Sequence, residues 1–273
     1  DPDYLKDIDL IIHAGDASNT KSAAINCNEL HDFLEWYSDL NIKNKSKFLI
    51  FGDKDTDGIT ATAITYKTLS SISADVDYII TPADQDYDIS IEIVDYALAN
   101  NYKIIITVDC GCNSVAVMQK CLDANIKLLI FDHHKFNDET LEFIKSTDLK
   151  NKVIIVNPHK PTCNYPNKNL AGCGVAFKLG CALIEKMLSN KRYNKNKTRE
   201  EIIATDFYKL YLNEMLPIVA IGTIADIMSL KDENRYITRL GYEIVKYAPP
   251  LYMEILKERL DLQTFNGDTL GFK

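Results

Sequence analysis

The sequence predicts an α/β domain: a mostly parallel sheet with helices on both faces, followed by a helical layer. Three observations carry this. Short apolar runs alternate with helix-compatible stretches from about residue 47 onward. Three of those runs end directly on acidic clusters, Asp55-Thr56-Asp57-Gly58, Asp109-Cys110-Gly111 and Asp132-His133-His134. After residue 170 the short runs give way to long stretches of helical spacing. Strands that alternate with helices build a parallel sheet covered on both sides, whereas consecutive helices add a layer.

Taken in order, Phe48-Leu49-Ile50-Phe51 is the first strand and residues 59–69 the first helix. Residues 76–81 form a strand and 91–99 a helix. Ile104-Ile105-Ile106-Thr107-Val108 is apolar enough to be a central strand, followed by a helix over about 114–124. Lys127-Leu128-Leu129-Ile130-Phe131 and Val153-Ile154-Ile155-Val156 complete the strands. Helices are expected over 171–188, 200–212, 216–228 and 238–260, where apolar residues recur at helical spacing. Residues 1–44 read as a separate β-α extension of uncertain role, and 45–273 as one domain.

Composition narrows the function. The 273 residues are 46% apolar and 26% charged, ordinary for a globular protein with a sizeable core. No run approaches the roughly 18 apolar residues of a membrane span, and the polar start Asp1-Pro2-Asp3-Tyr4 lacks a secretory signal. Seven cysteines without zinc-finger spacing read as free thiols in a reducing compartment, so a cytoplasmic location is expected, with no membrane partner. A net charge of −8 argues against a protein that coats nucleic acid non-specifically through a basic surface. It does not exclude a nuclease, because bound cations would neutralise several acids. The basic stretch 191–199 reads as a solvated loop, with nucleic-acid contact as the alternative.

The acidic clusters carry the chemistry. In an open α/β sheet the carboxyl ends of neighbouring strands converge on one crevice, which suggests a site for divalent cations. Along Asp53-Lys54-Asp55-Thr56-Asp57, alternate carboxylates leave the strand, so Asp55 and Asp57 are expected to share one side. Gly58 is expected to permit a tight turn, with helix amides 59–61 left to attract an anion. Asp109 ends the most apolar strand and is the natural bridge between two ions. Adjacent residues in extended chain point apart, so one of His133 and His134 should bind metal while the other meets substrate. Asp226 is the lone acid in an apolar run over 216–230, where a buried charge without a cation is costly.

These motifs, in this order and at these spacings, resemble the DHH phosphoesterase superfamily, nearest to its RecJ-like single-strand nucleases. The likeness continues through Val156-Asn157-Pro158-His159-Lys160, Leu170-Ala171-Gly172-Cys173-Gly174-Val175-Ala176-Phe177, the run from Ile221 to Leu230, and Glu233-Asn234-Arg235, about 225 of the 273 residues. It implies two ions, Mn²⁺ or Mg²⁺: one held by Asp55 and Asp109, the other by Asp57, Asp109, His133 and Asp226. Asp53 joins them as ligand or support. Phe51 stands where related pyrophosphatases place a histidine. His134 would approach the scissile phosphate, and Asp132 would orient the histidines. Asn157, His159 and Lys160 are candidates for substrate contact, and Arg235 for either phosphate or Glu233. Gly172-Cys173-Gly174 reads as close packing at a helix start.

The implied activity is metal-dependent phosphodiester hydrolysis, an exonuclease acting on single-stranded DNA or short oligonucleotides. The alternatives are a small-substrate phosphodiesterase or pyrophosphatase of the same superfamily, and a non-catalytic replication or repair scaffold. Two departures stand out. Residues 81–90 lack the Arg and Gly-Tyr-Gly expected of RecJ-like enzymes, and the sequence stops where the family's C-terminal substrate-binding domain would follow. A further domain or a separate protein is therefore expected to complete the substrate clamp. Separately, Leu10-Ile11-Ile12-His13-Ala14-Gly15-Asp16-Ala17-Ser18-Asn19 resembles the Gly-Asp turn of calcineurin-like metallophosphoesterases. An ordinary β-α unit with Asp16 as a turn residue is the other reading there.

Overall fold

The computed structural model describes residues 46–84, 88–149, 152–189 and 197–262. The N-terminal extension, with its calcineurin-like turn, and most of the basic stretch 191–199 lie outside the described residues. Five strands, β1 (Lys47–Gly52), β2 (Asp75–Ile80), β3 (Ile104–Val108), β4 (Lys127–Phe131) and β5 (Val153–Val156), form one sheet in the order β2-β1-β3-β4-β5. Every pairing is parallel. The expected sheet is present, and its strand order reverses direction between β1 and β3, the place where such folds open a crevice.

The helices between strands are α1 (Thr56–Ser71), α2 (Ile91–Ala99), α3 (Val115–Asp123) and α4 (Asp138–Ser146). Those after the sheet are α5 (Gly172–Ser189), α6 (Arg199–Ile203), α7 (Asp206–Ala225), α8 (Asp232–Tyr247) and α9 (Leu251–Arg259). Strand side chains alternate between two cores, as a two-residue period requires. Leu49, Phe51, Ile105, Leu128, Ile130 and Ile155 pack with Val94, Ala97, Val117, Met118 and Cys121 of α2 and α3. Phe48, Ile50, Ile104, Ile106, Leu129 and Ile154 pack with α1, α5, α7 and α8. The second layer is therefore the helical one expected from residue 170 onward. No helix among the described residues is long and apolar enough to cross a membrane.

The helix boundaries differ from expectation where proline and capping decide. Residues 200–212 and 216–228 are not two similar helices. Thr198 closes a capping box on short α6, Thr205 caps α7, and α7 then runs for 20 residues straight through Pro217. Burial of Leu216, Pro217, Ile218, Val219 and Ala220 offsets the hydrogen bond that proline forfeits. Conversely, 238–260 is two helices, broken at Pro249-Pro250, because the residue before a proline disfavours the α region. Helix α4 was not expected, although Asn137 accepts from Thr140 N at its start and Asp138 and Glu139 fill its first turn.

Candidate metal centre

Registry builds the site. Gly52 pairs with Val108, and Val108 with Phe131, so the residues that follow, Asp53, Asp109 and Asp132, leave three adjacent strands side by side. Asp109 N still bonds Phe131 O at 2.9 Å, and Asp132 N bonds Val156 O at 3.2 Å, which carries the ladder one residue past the sheet. Three acids are thus anchored at backbone level.

Helix α1 begins at Thr56, three residues earlier than expected, and this corrects two readings. Asp55 is its N-cap, accepting from Gly58 N at 2.8 Å, and Asp57 sits in its first turn. The chain has left the extended conformation, so Asp55 and Asp57 do not share a side. Asp55 stays exposed and falls in a group with Asp53 and Asp109, whereas Asp57 is 1% exposed and groups with His133 and Asp226. Ile59 N already bonds Asp55 O, so the expected anion cradle at amides 59–61 is absent. Gly58 serves close approach rather than a turn: a Cβ there would lie 2.5 Å from Asp53 O.

Asp57 is fixed by the start of α5. Gly172 N donates to its Oδ2 at 2.6 Å and Cys173 N to its Oδ1 at 2.9 Å, two helix amides of the kind that attract anions. Gly172 also needs to be glycine, because a Cβ would sit 2.4 Å from Asp109 Oδ1. The Gly172-Cys173-Gly174 motif is accordingly packing, as expected, with an added role in holding Asp57 that its sequence did not reveal. Gly222 of α7 abuts Thr60 and Asp57 in the same manner.

His133 stands at the middle. Its Nε2 lies 3.2 Å from Asp109 Oδ1, 3.7 Å from Asp57 Oδ2 and 3.7 Å from Asp226 Oδ2. Three groups of ligating atoms, each within 4.8 Å of one another, result: Asp109, His133 and His134; Asp57, His133 and Asp226; Asp53, Asp55 and Asp109. Asp109 belongs to two of them, as a bridge would.

The histidines do not point apart. Asp132 Oδ1 accepts from His133 N at 2.7 Å and His134 N at 3.1 Å, curling the chain so that the two rings lie 4.6 Å apart. The premise of extended chain fails there. Asp132 also binds His134 Nδ1 at 2.7 Å and accepts from Cys112 N at 3.0 Å, so it orients the His134 ring and the turn itself.

Electrostatics make the metal-free site uncomfortable. Burial, then the nearby Asp57 and Asp55 charges, push the Asp109 carboxyl up to about 10. Burial likewise raises Asp53, and burial followed by Asp57 raises Asp226. Asp132 behaves oppositely: burial would raise it, but its bonds to His134 hold it at about 2. Asp53 Oδ1 and Asp226 Oδ2 are buried without a hydrogen-bond partner, which in a water-poor site calls for a cation. A set of hard carboxylate oxygens with one imidazole suits Mn²⁺ or Mg²⁺.

The remaining candidates divide. Asn157 is buried and its side chain is committed to the protein: Nδ2 donates to His134 O at 2.9 Å and Oδ1 accepts from His159 N at 2.7 Å. It braces the histidine turn, and a substrate contact would break that brace. His159 and Lys160 are half-buried beside it, with the His159 imidazole lowered by burial and then by His133. Arg235 is exposed on α8 and does not pair with Glu233, whose carboxylate is engaged by Lys178 and by the Tyr165 hydroxyl at 2.7 Å. That buried ion pair is absent from the sequence reading, because Lys178 looks like any lysine inside an apolar helix.

Residues 47–222 match the model of the DHH family, N-terminal domain. The single-stranded-DNA-specific exonuclease RecJ of Bacillus subtilis (strain 168) is 32% identical over 235 residues, 85% of this chain and 26% of the relative. Its counterpart in Escherichia coli (strain K12) is 31% identical over 232 residues, 83% of this chain and 37% of the relative. The chain thus spans well under half the length of these curated relatives. A crystal structure of RecJ in complex with Mn²⁺ from Thermus thermophilus superposes with a TM-score of 0.66 over 95% of this chain and 33% of that one. At 22% identity that likeness is one of fold.

Proposed function

The chain belongs to the DHH family, on its RecJ-like branch, and from that premise we propose that it hydrolyses phosphodiester bonds of single-stranded DNA or short oligonucleotides with the help of two divalent cations. The observation that carries the reading is the convergence of Asp53, Asp55, Asp57, Asp109, His133 and Asp226 into groups with atoms within 4.8 Å, two of whose buried oxygens have no hydrogen-bond partner. Asp53, Asp55 and Asp109 would hold one ion, and Asp57, Asp109, His133 and Asp226 the other, Mn²⁺ or Mg²⁺. When bound, such a pair neutralises the phosphodiester and activates a water for in-line attack.

The protein's own groups do the rest. Asp109, supported by the β3–β4 ladder, fixes the spacing of the two sub-sites. Gly172 and Cys173 amides hold Asp57 rigid, so that it does not collapse onto its neighbours. Breaking the P–O bond leaves an oxygen that needs a proton. His134, whose Nδ1 donates to Asp132, presents its other ring nitrogen, and the bond to the Asp132 carboxylate raises its affinity for that proton. His159, Lys160 and Arg235 are assigned to the substrate strand. Six free cysteines among the described residues, five of them buried, fit a reducing cytoplasmic setting.

The test is release of mononucleotides from a labelled single strand, compared with a dinucleotide, in Mn²⁺. Turnover of the strand that is lost in Asp109→Ala supports the reading. Cleavage of the dinucleotide alone would move the substrate to the small-phosphodiester class, and Mn²⁺ binding without any hydrolysis would leave a scaffold.

A further inference from the structure

The residue after Asp226 breaks a pattern that four other helix endings among the described residues share. Helices α1, α2, α3, α7 and α9 all end in the same device: the residue following the C-cap adopts a left-handed conformation, and the next amide reaches back to close the last turn. In four of them that residue is Ser73, Asn101, Asn125 or Asp261, small and polar, types that tolerate positive φ. At the end of α7 it is Ile227, with φ 55°. The motif is complete there: Ile227 N bonds Ile224 O at 3.1 Å, and Met228 N bonds Thr223 O at 3.2 Å. A β-branched side chain in this conformation is an outlier that costs stability.

Packing does not account for it. Met228 turns inward against the core, as the motif's following residue usually does, while Ile227 is 90% exposed, more than any other large apolar side chain among those described. Glycine or asparagine would make the same turn with less strain and less apolar surface in water. The position is fixed by Asp226, whose Oδ2 is buried 3.7 Å from His133 Nε2. Ile227 therefore follows directly on a residue of the metal centre, exposed and held in the left-handed conformation.

We infer that Ile227 is a substrate-contact residue: its side chain packs against the nucleobase next to the scissile phosphate and helps to hold the strand in register. Resting on the hydrolase reading, this adds an apolar contact to a site otherwise lined by charge. Such contacts are sequence-tolerant, because every nucleotide offers an apolar face.

The test uses the full chain in Mn²⁺ with a phosphorothioate single strand, reading binding by fluorescence anisotropy, beside an identical strand carrying abasic nucleotides. Ile227→Gly should raise the melting temperature by relieving the strained turn, leave Mn²⁺ binding unchanged and weaken binding of the ordinary strand about fivefold. Ile227→Val should bind within about twofold of the unsubstituted chain, which separates loss of the apolar contact from loosening of the loop. The abasic strand should bind both variants alike. A melting temperature that rises while binding of the ordinary strand stays the same would overturn the inference, as would failure of the unsubstituted chain to bind a strand. Binding without turnover of an ordinary phosphodiester strand would instead refute the hydrolase reading and leave the contact standing.

Discussion

Glu233 lies 3% exposed on α8 against the Lys178 ammonium of α5, with the Tyr165 hydroxyl donating to it at 2.7 Å. Glu233→Gln keeps the shape and removes the countercharge. The stranded lysine has two escapes. It can stay charged in the core, at about 3–5 kcal/mol, the usual cost of halving a buried pair. Or it can release its proton, which at pH 7 costs about 1.4 kcal/mol for each unit below the ordinary value of about 10.4, roughly 4.6 kcal/mol. The variant should therefore lose about 3–5 kcal/mol at pH 7, a large share of a typical 5–15 kcal/mol.

The pH dependence has a definite sign. In the native chain burial works against the Lys178 charge, but Glu233 and then Tyr165 hold its pKa above the ordinary value. Its contribution is thus fully present below about pH 10 and is lost only as pH rises through the folded value. In the variant the folded lysine tends to neutrality while the unfolded chain keeps the proton, so stability rises with pH. The gap between the two proteins should shrink to about 2 kcal/mol at pH 9, which is about 1.4 kcal/mol times the remaining 1.4 units. Urea unfolding followed by circular dichroism at pH 7, 8 and 9, with EDTA so that metal binding is removed from both, measures it. A difference below about 1 kcal/mol at pH 7, or one that is unchanged at pH 9, would refute the argument.

The metal centre gives three further predictions. Asp109→Asn should lower Mn²⁺-dependent hydrolysis on the order of 10³-fold, yet make the metal-free protein more stable by about 1–3 kcal/mol in urea at pH 7, since burial and the Asp57 and Asp55 charges raise the Asp109 carboxyl to about 10 and folding must then supply a proton that an amide does not need. Mn²⁺ at about 100 times its dissociation constant should stabilise the native chain by about 2.7 kcal/mol per site, raising the melting temperature by roughly 5–10 °C for one site; Asp226→Asn should reduce that rise, as scanning fluorimetry with an EDTA control will read. Gly172→Ala places a methyl group 2.4 Å from Asp109 Oδ1, so Mn²⁺ affinity by calorimetry should fall about tenfold or more.

The strands and the acids that end them were legible because both signals are local. An apolar run such as 104–108 has one explanation, and a carboxylate directly after it has few. The placement of Asp109 beside Asp132 then follows from parallel registry alone. What was hidden depends on partners distant in sequence. Nothing in Gly172 announces that its amide holds Asp57, 115 positions earlier, or that its missing Cβ makes room for Asp109. Nothing in the sequence pairs Lys178 with Glu233, because periodicity cannot tell which residues of a second helix will face each other. The error at Asp55 and Asp57 was local but had a competing rule: an Asp followed three residues later by a helix-ready amide is an N-cap, and capping took precedence over the strand's two-residue period.

The local violations collect where the chemistry is. Among the described residues half of the non-glycine departures to positive φ occur in ordinary helix endings with small polar side chains, but Asp109 at φ 60° and Ile227 at φ 55° lie at the metal centre, just past the ends of β3 and α7. Burial and then the neighbouring acids raise Asp109 to about 10, and Asp53 and Asp226 each keep a buried oxygen without a hydrogen-bond partner. Each feature alone is a cost that a sequence selected only for folding would remove with one substitution. Their concentration at the ends of adjacent parallel strands argues that a ligand compensates them together, and divalent cations fit because only positive charge answers the backbone placement, the repulsion and the missing donors at once.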